Sequence, residues 1–197
     1  MNRIRCVLVA CAVGALSSCS GRPVTRTPEA GGPEVKALSV SPGVVLERAC
    51  TPSGTELCFN ARDDNCNGII DEGCGVSTGL VQFVIAWDEV GADVDLNVTD
   101  PNGELIEVGG SSQSGLVKDR DCPGRKNACY GQNLENVYLE EGDPPRGDYR
   151  VSVRLEKLGG ENPPITVTLG ARVGPKTYAA RFELSEPAEE RQLELEL

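Results

Sequence analysis

The sequence predicts a mainly β fold: an antiparallel β-sandwich, Ig-like or jelly-roll-like, preceded by a small disulfide-stabilised knot. Three observations predict it. From Leu80 onward, apolar and polar residues alternate with a period of two. Gly (23) and Pro (13) are plentiful and aromatic residues make up only 4%, so turns are frequent and the core must rest on Val, Leu and Ile. Four cysteines, Cys50, Cys58, Cys66 and Cys74, stand at even intervals just before the alternation starts. The 197 residues suffice for one domain of ordinary size plus a small module.

Charge narrows the function. With 30 acidic against 19 basic residues the net charge is -11. Such a surface repels phosphate backbones, so nucleic acid is not an expected partner, and it favours cations. There is no histidine, hence neither the commonest general base nor the usual nitrogen ligand of zinc.

Residues 1–18 read as an export signal. Arg3 and Arg5 supply its positive start, and Cys6 to Val13 form an apolar run too short to span a bilayer. Leu16-Ser17-Ser18-Cys19 resembles the lipobox of bacterial lipoproteins. The resemblance implies that Cys19 becomes the mature N-terminus and carries acyl chains such as palmitate, anchoring the chain to a membrane. Each buried methylene adds ~0.8 kcal/mol to such an anchor. Ser20 implies sorting to the outer rather than the inner membrane of the cell envelope. Residues 19–47 read as a flexible tether rich in Pro, Gly and Thr, with an r.m.s. reach of about 30 Å. Within it, Ala37 to Val40 and Gly43 to Leu46 have the pattern of a short strand.

Residues 48–75 form the knot. No CxxC pair is present, so an exported chain should use these cysteines as disulfides rather than zinc ligands, and spacing alone leaves the pairing open. A module this small buries too little apolar surface to fold unaided. Inside it, Asp63, Asn65 and Asn67 place oxygens at alternate positions and Gly68 follows, the D-x-[DN]-x-[DN]-G opening of an EF-hand-type calcium loop. By that count Ile69 offers its carbonyl at the seventh position and Asp71 falls at the ninth. The twelfth is Cys74, with Glu72 able to substitute for the usual Glu from two residues earlier. Few carboxylates imply weak Ca2+ affinity, ~10⁻⁴–10⁻³ M. The alternative is a turn held by Asx hydrogen bonds without an ion. The run from Cys50 to Cys74 resembles the cysteine-rich metal-binding motif of myxobacterial surface proteins, departing from it at Ala61, where that family has Gly.

Residues 79–197 should form the sandwich. Val81, Phe83, Ile85 and Trp87 share one strand face, and Val94, Leu96 and Val98 another, opposite Asp93, Asp95 and Asn97. Asp100-Pro101-Asn102-Gly103 is a turn. Tyr149 to Leu155, Ile165 to Leu169, Tyr178 to Leu184 and Leu193 to Leu197 repeat the alternation. Cys122 and Cys129 bracket a short loop and should bond to each other. Trp87-Asp88 with Asp93-Val94-Asp95-Leu96-Asn97-Val98-Thr99-Asp100-Pro101-Asn102-Gly103 resembles the YfaP-like, DUF2135-type exported β-domains, with Asn97 in place of a frequent His. The resemblance implies a β fold and an envelope location. Asp88, Asp93 and Asp95, with Glu135 or Asn136, form a second candidate metal group; the alternative is a solvated polar face.

No nucleophile–base arrangement or phosphate loop is visible, so a non-catalytic protein is expected rather than an enzyme. The expected role is calcium-dependent binding, adhesion or envelope structure, with a protein or polysaccharide ligand. The alternative is an accessory, partner-docking subunit of an exported enzyme or secretion system.

Overall fold

In a computed structural model, the described residues are 32–47, 50, 52, 54–110, 112–123 and 131–197. The expected export signal, Cys19, the first part of the tether and Cys129 lie outside them. Ten strands form among the described residues: β1 (Ala37–Val40), β2 (Val45–Leu46), β3 (Val81–Trp87), β4 (Asp93–Thr99), β5 (Val117–Arg120), β6 (Leu134–Leu139), β7 (Asp148–Lys157), β8 (Ile165–Val173), β9 (Lys176–Leu184) and β10 (Glu190–Glu196). They pair as two antiparallel sheets, one in the order β1-β10-β7-β4 and the other β2-β9-β8-β3-β6-β5. No helix occurs among the described residues. This is the predicted antiparallel sandwich with the predicted disulfides near its start.

Alternation explains the main core. Val94, Leu96 and Val98 of β4, Tyr149, Val151, Val153 and Leu155 of β7, and Leu193 and Leu195 of β10 turn inward from one sheet. They meet Val81, Phe83, Ile85 and Trp87 of β3 and the inward residues of β8 and β9 from the other. Phe83 and Tyr149 touch across the gap with ring centroids 6.0 Å apart. The two aromatic polar tips are also satisfied: Tyr149 OH donates to Pro145 O and Trp87 Nε1 to Ala92 O.

The strand β3 is buried along its whole length, on both faces. Its outward Val84 and Ala86, with Leu134 of β6, pack under Ala61 and Ile70 of the knot. The knot is therefore seated on the outer face of the larger sheet. Glycine at 170 allows this approach, since a Cβ there would lie 2.3 Å from Ala61 O.

The strand-like pattern at 37–40 and 43–46, inside the expected tether, forms two edge strands: β1 pairs with β10 and β2 with β9. Their partners lie roughly 130 to 160 residues later in the chain, which local pattern does not reveal. The stretch 75–79, which joins the knot to the sandwich, is clasped. Ser77 O accepts from Gln82 Nε2 and Asn136 Nδ2, and a Cβ on Gly79 would lie 1.9 Å from Leu139 O.

Candidate functional site

The knot closes through Cys50–Cys66 and Cys58–Cys74, each bridge spanning 16 residues, so the two loops interleave. Between them lies the turn that begins at Asp63. Asp63 Oδ1 accepts the Asn67 amide at 3.1 Å and Oδ2 the Gly68 amide at 2.9 Å. Asn65 Oδ1 also accepts the Asn67 amide, and Asn67 Oδ1 accepts that of Ile69. These are Asx hydrogen bonds, in which a side-chain oxygen replaces a backbone acceptor. Gly68 takes φ = +87°, and a Cβ there would lie 2.7 Å from Pro175 O, so glycine is required twice over.

The turn is tied to the sandwich as well as to itself. Thr177 Oγ1, at the start of β9, donates to Asp63 Oδ2 at 3.0 Å. A groove of ≈ 340 Å³ runs beside this contact, lined among others by Glu47, Arg62, Asp63 and Tyr178.

The alternate oxygens predicted from sequence are thus brought to one turn. Each carboxylate or amide oxygen has two lone pairs and spends one or two on these amides. Asp63 Oδ1, Asn65 Oδ1 and Asn67 Oδ1 each accept one bond, which leaves each a site for a hard cation. Glu72 stands next to them, with Asn65 Nδ2 donating to its Oε1 at 2.8 Å. Ile69 joins through its amide. Asp71 is committed elsewhere: fully buried, its two oxygens accept the amides of Asn60 and Ala61, and it holds the preceding turn. The oxygens that fit a cation here are therefore those of Asp63, Asn65, Asn67 and Glu72.

Sequence reasoning missed Glu56. Its Oε2 accepts the amides of Asp64 and Asn65, and its Oε1 that of Asp71, so one carboxylate ties the two halves of the loop. Backbone donors leave no mark in a sequence, so nothing singled it out. Burial raises the carboxyls of Glu56 and Asp71, backbone donors pull both down, and the Asp64 charge pushes both up again. By sequence the knot carries five carboxylates, Glu56, Asp63, Asp64, Asp71 and Glu72, against two arginines.

The second candidate group separates. Asp88 is exposed, and Asp93 pairs with Lys157 Nζ at 2.9 Å. Asp95 instead joins Glu135 and Asp121, with carboxylate oxygens within 4.8 Å of one another. Asn136 points the other way, to Ser77, Gln82 and Asp119. Lys118 reaches the acidic group from β5, its Nζ lying 2.8 Å from Glu135 Oε2 and 3.2 Å from Asp121 Oδ1. Three carboxylates so close can hold a metal; here an ammonium already stands among them. Cys122 is disulfide-bonded. Comparison with known protein families, curated proteins and solved structures finds no match.

Proposed function

We propose that this chain is a non-catalytic, lipid-anchored protein of the cell envelope whose knot binds calcium and thereby stiffens a binding face carried by the sandwich. The observation that supports this reading most is the Asp63–Gly68 turn. It gathers three side-chain oxygens at alternate positions, beside Glu72, in a segment already cross-linked twice. Pre-organisation by disulfides lowers the ordering entropy an ion must offset. The knot's excess of carboxylates over arginines favours a divalent cation.

Calcium then acts on geometry rather than on chemistry. Asp63 is shared between the turn and Thr177, so fixing its carboxylate fixes the angle between knot and sheet. The face this holds steady includes the groove beside Asp63, where a protein or polysaccharide partner would rest.

Calorimetric titration of calcium into the protein tests the reading. We expect saturable binding at ~10⁻⁴–10⁻³ M, lost in a double variant Asp63→Asn, Asn65→Ala. Absence of binding up to about 10 mM calcium contradicts it. The anchor is tested separately: a labelled fatty acid should be incorporated by the wild type and not by Cys19→Ala.

A further inference from the structure

The larger sheet ends at β5 and the smaller at β4, and charged side chains are buried between these edges. Glu135 occupies an inward position of β6, one that apolar Val137 and Leu139 fill further along the strand. Its side chain is 1% exposed and that of Lys118 5%. Glu135 Oε2 also accepts the Leu96 amide of β4 at 2.6 Å, so it caps an edge of the opposite sheet.

We propose that Lys118 and Glu135 condense to an isopeptide bond, cross-linking β5 to β6 inside the sandwich. The three requirements of such a step are present: a nucleophile against an electrophile, a group to take the proton, and a donor for the developing oxyanion. Lys118 Nζ sits at hydrogen-bond distance from the Glu135 carboxyl. Asp121 Oδ1 is the proton acceptor at 3.2 Å, with a side chain 30% exposed that can pass the proton to solvent. The Leu96 N–H faces the oxygen on which negative charge collects.

The atoms balance without a co-reactant. Asp121 takes one proton from the Lys118 ammonium. The freed lone pair attacks Cδ of the neutral Glu135 carboxyl, forming the N–C bond and moving the π pair onto Oε2. The protonated Asp121 then gives its proton to the departing hydroxyl, the C–O bond breaks and water leaves. The amide nitrogen returns its extra proton to Asp121. A buried ammonium and a buried carboxyl become one neutral amide, and that removes a desolvation penalty.

Burial, opposed by Lys118, raises the Glu135 carboxyl above its ordinary value, which favours the neutral form that the amine attacks. Burial works to lower the Lys118 ammonium, but Glu135 and Asp121 outweigh it and leave it raised, which is why a proton acceptor is needed. Asp95, from β4, is the remaining charged group facing the pair, and its carboxyl is raised by burial too.

Peptide mapping of the full-length protein after reduction decides the matter. Trypsin should release a branched species in which the peptide ending at Arg120 is joined to Asn127–Arg146, lighter than their sum by one water. Lys118→Arg keeps the cation but is not a nucleophile, and should yield only separate peptides. Asp121→Asn should slow bond formation at least about tenfold during refolding. Recovery of separate Lys118 and Glu135 peptides from the wild type overturns the proposal. So does a bond that forms equally fast in Asp121→Asn.

Discussion

The knot and the sandwich are held by different physics. The sandwich rests on area: some two dozen apolar side chains meet between two sheets, and most of its backbone groups are satisfied by the ladders. Among its described residues the knot has two buried apolar side chains, Ala61 and Ile70, both pressed on the sheet. Its backbone donors are satisfied one by one, by Glu56, Asp63, Asn65, Asn67 and Asp71. Stability from area is spread over many residues; stability from named acceptors is concentrated in a few. The sandwich should therefore lose structure as a unit, and the knot piece by piece.

Substitutions can break that contrast at either end. The largest effect is expected for Phe83→Ala, which empties the centre of the sandwich and costs about 3–5 kcal/mol. Because the knot is seated on the same strand, knot and sandwich should melt together in this variant. Trp87, the only tryptophan, reports the sandwich by fluorescence, and exchange of the Gly68 and Asp71 amides reports the knot. A knot that stays protected while Trp87 becomes exposed would show it to fold alone.

Next comes the double variant Cys58→Ser, Cys74→Ser. Removing a bridge across 16 residues costs ~3 kcal/mol by loop entropy. The loss should appear as fast amide exchange over residues 56–74, with the Trp87 signal unchanged. Gly170→Val follows. Its side chain would drive into Ala61 O and Ile70, lifting the knot from β8 at a cost of about 1–3 kcal/mol. Disulfides stay intact, so this variant separates docking from cross-linking; an unchanged melting curve would mean the contact contributes nothing.

The smallest effect concerns acid. Burial works to raise the Asp100 carboxyl, but hydrogen bonds from Glu104, Ser114 and Asn102 outweigh it and hold it below the ordinary value of 3.8. A carboxyl lowered by folding adds stability that is present above that value and lost as the pH falls through the folded one. Asp100→Asn should flatten the acid limb of the stability curve below pH 3.8 and leave the knot's amide exchange untouched.

The same contrast explains what could be read from the sequence. Area leaves a periodic trace, so β3, β4, β7, β8, β9 and β10 and their inward residues were legible, as was the turn after Asp100. Named acceptors leave a trace only when they repeat, as Asp63, Asn65 and Asn67 do. Glu56 does not repeat, and Asp71 fits the calcium spacing while its side chain turns to Asn60 and Ala61. Ala61 takes φ = +58°, in the left-handed region that Gly enters most readily, a requirement the sequence does not show at an alanine. Val84 and Ala86, apolar on what should have been a wet face, were the visible sign that the knot covers β3. Lys118 and Asp121 lie in a short, irregular stretch with no period, so their meeting with Glu135 was out of reach.

Hydrogen exchange of the native protein, followed residue by residue with and without millimolar calcium, tests the central claim most directly. An ion held by Asp63, Asn65, Asn67 and Glu72 should slow exchange of the Asn67, Gly68 and Ile69 amides about tenfold or more at saturation, and leave β7 and β10 unaffected. Equal rates at those three amides in both conditions would contradict it, and the knot would then be a turn maintained by disulfides and Asx bonds alone.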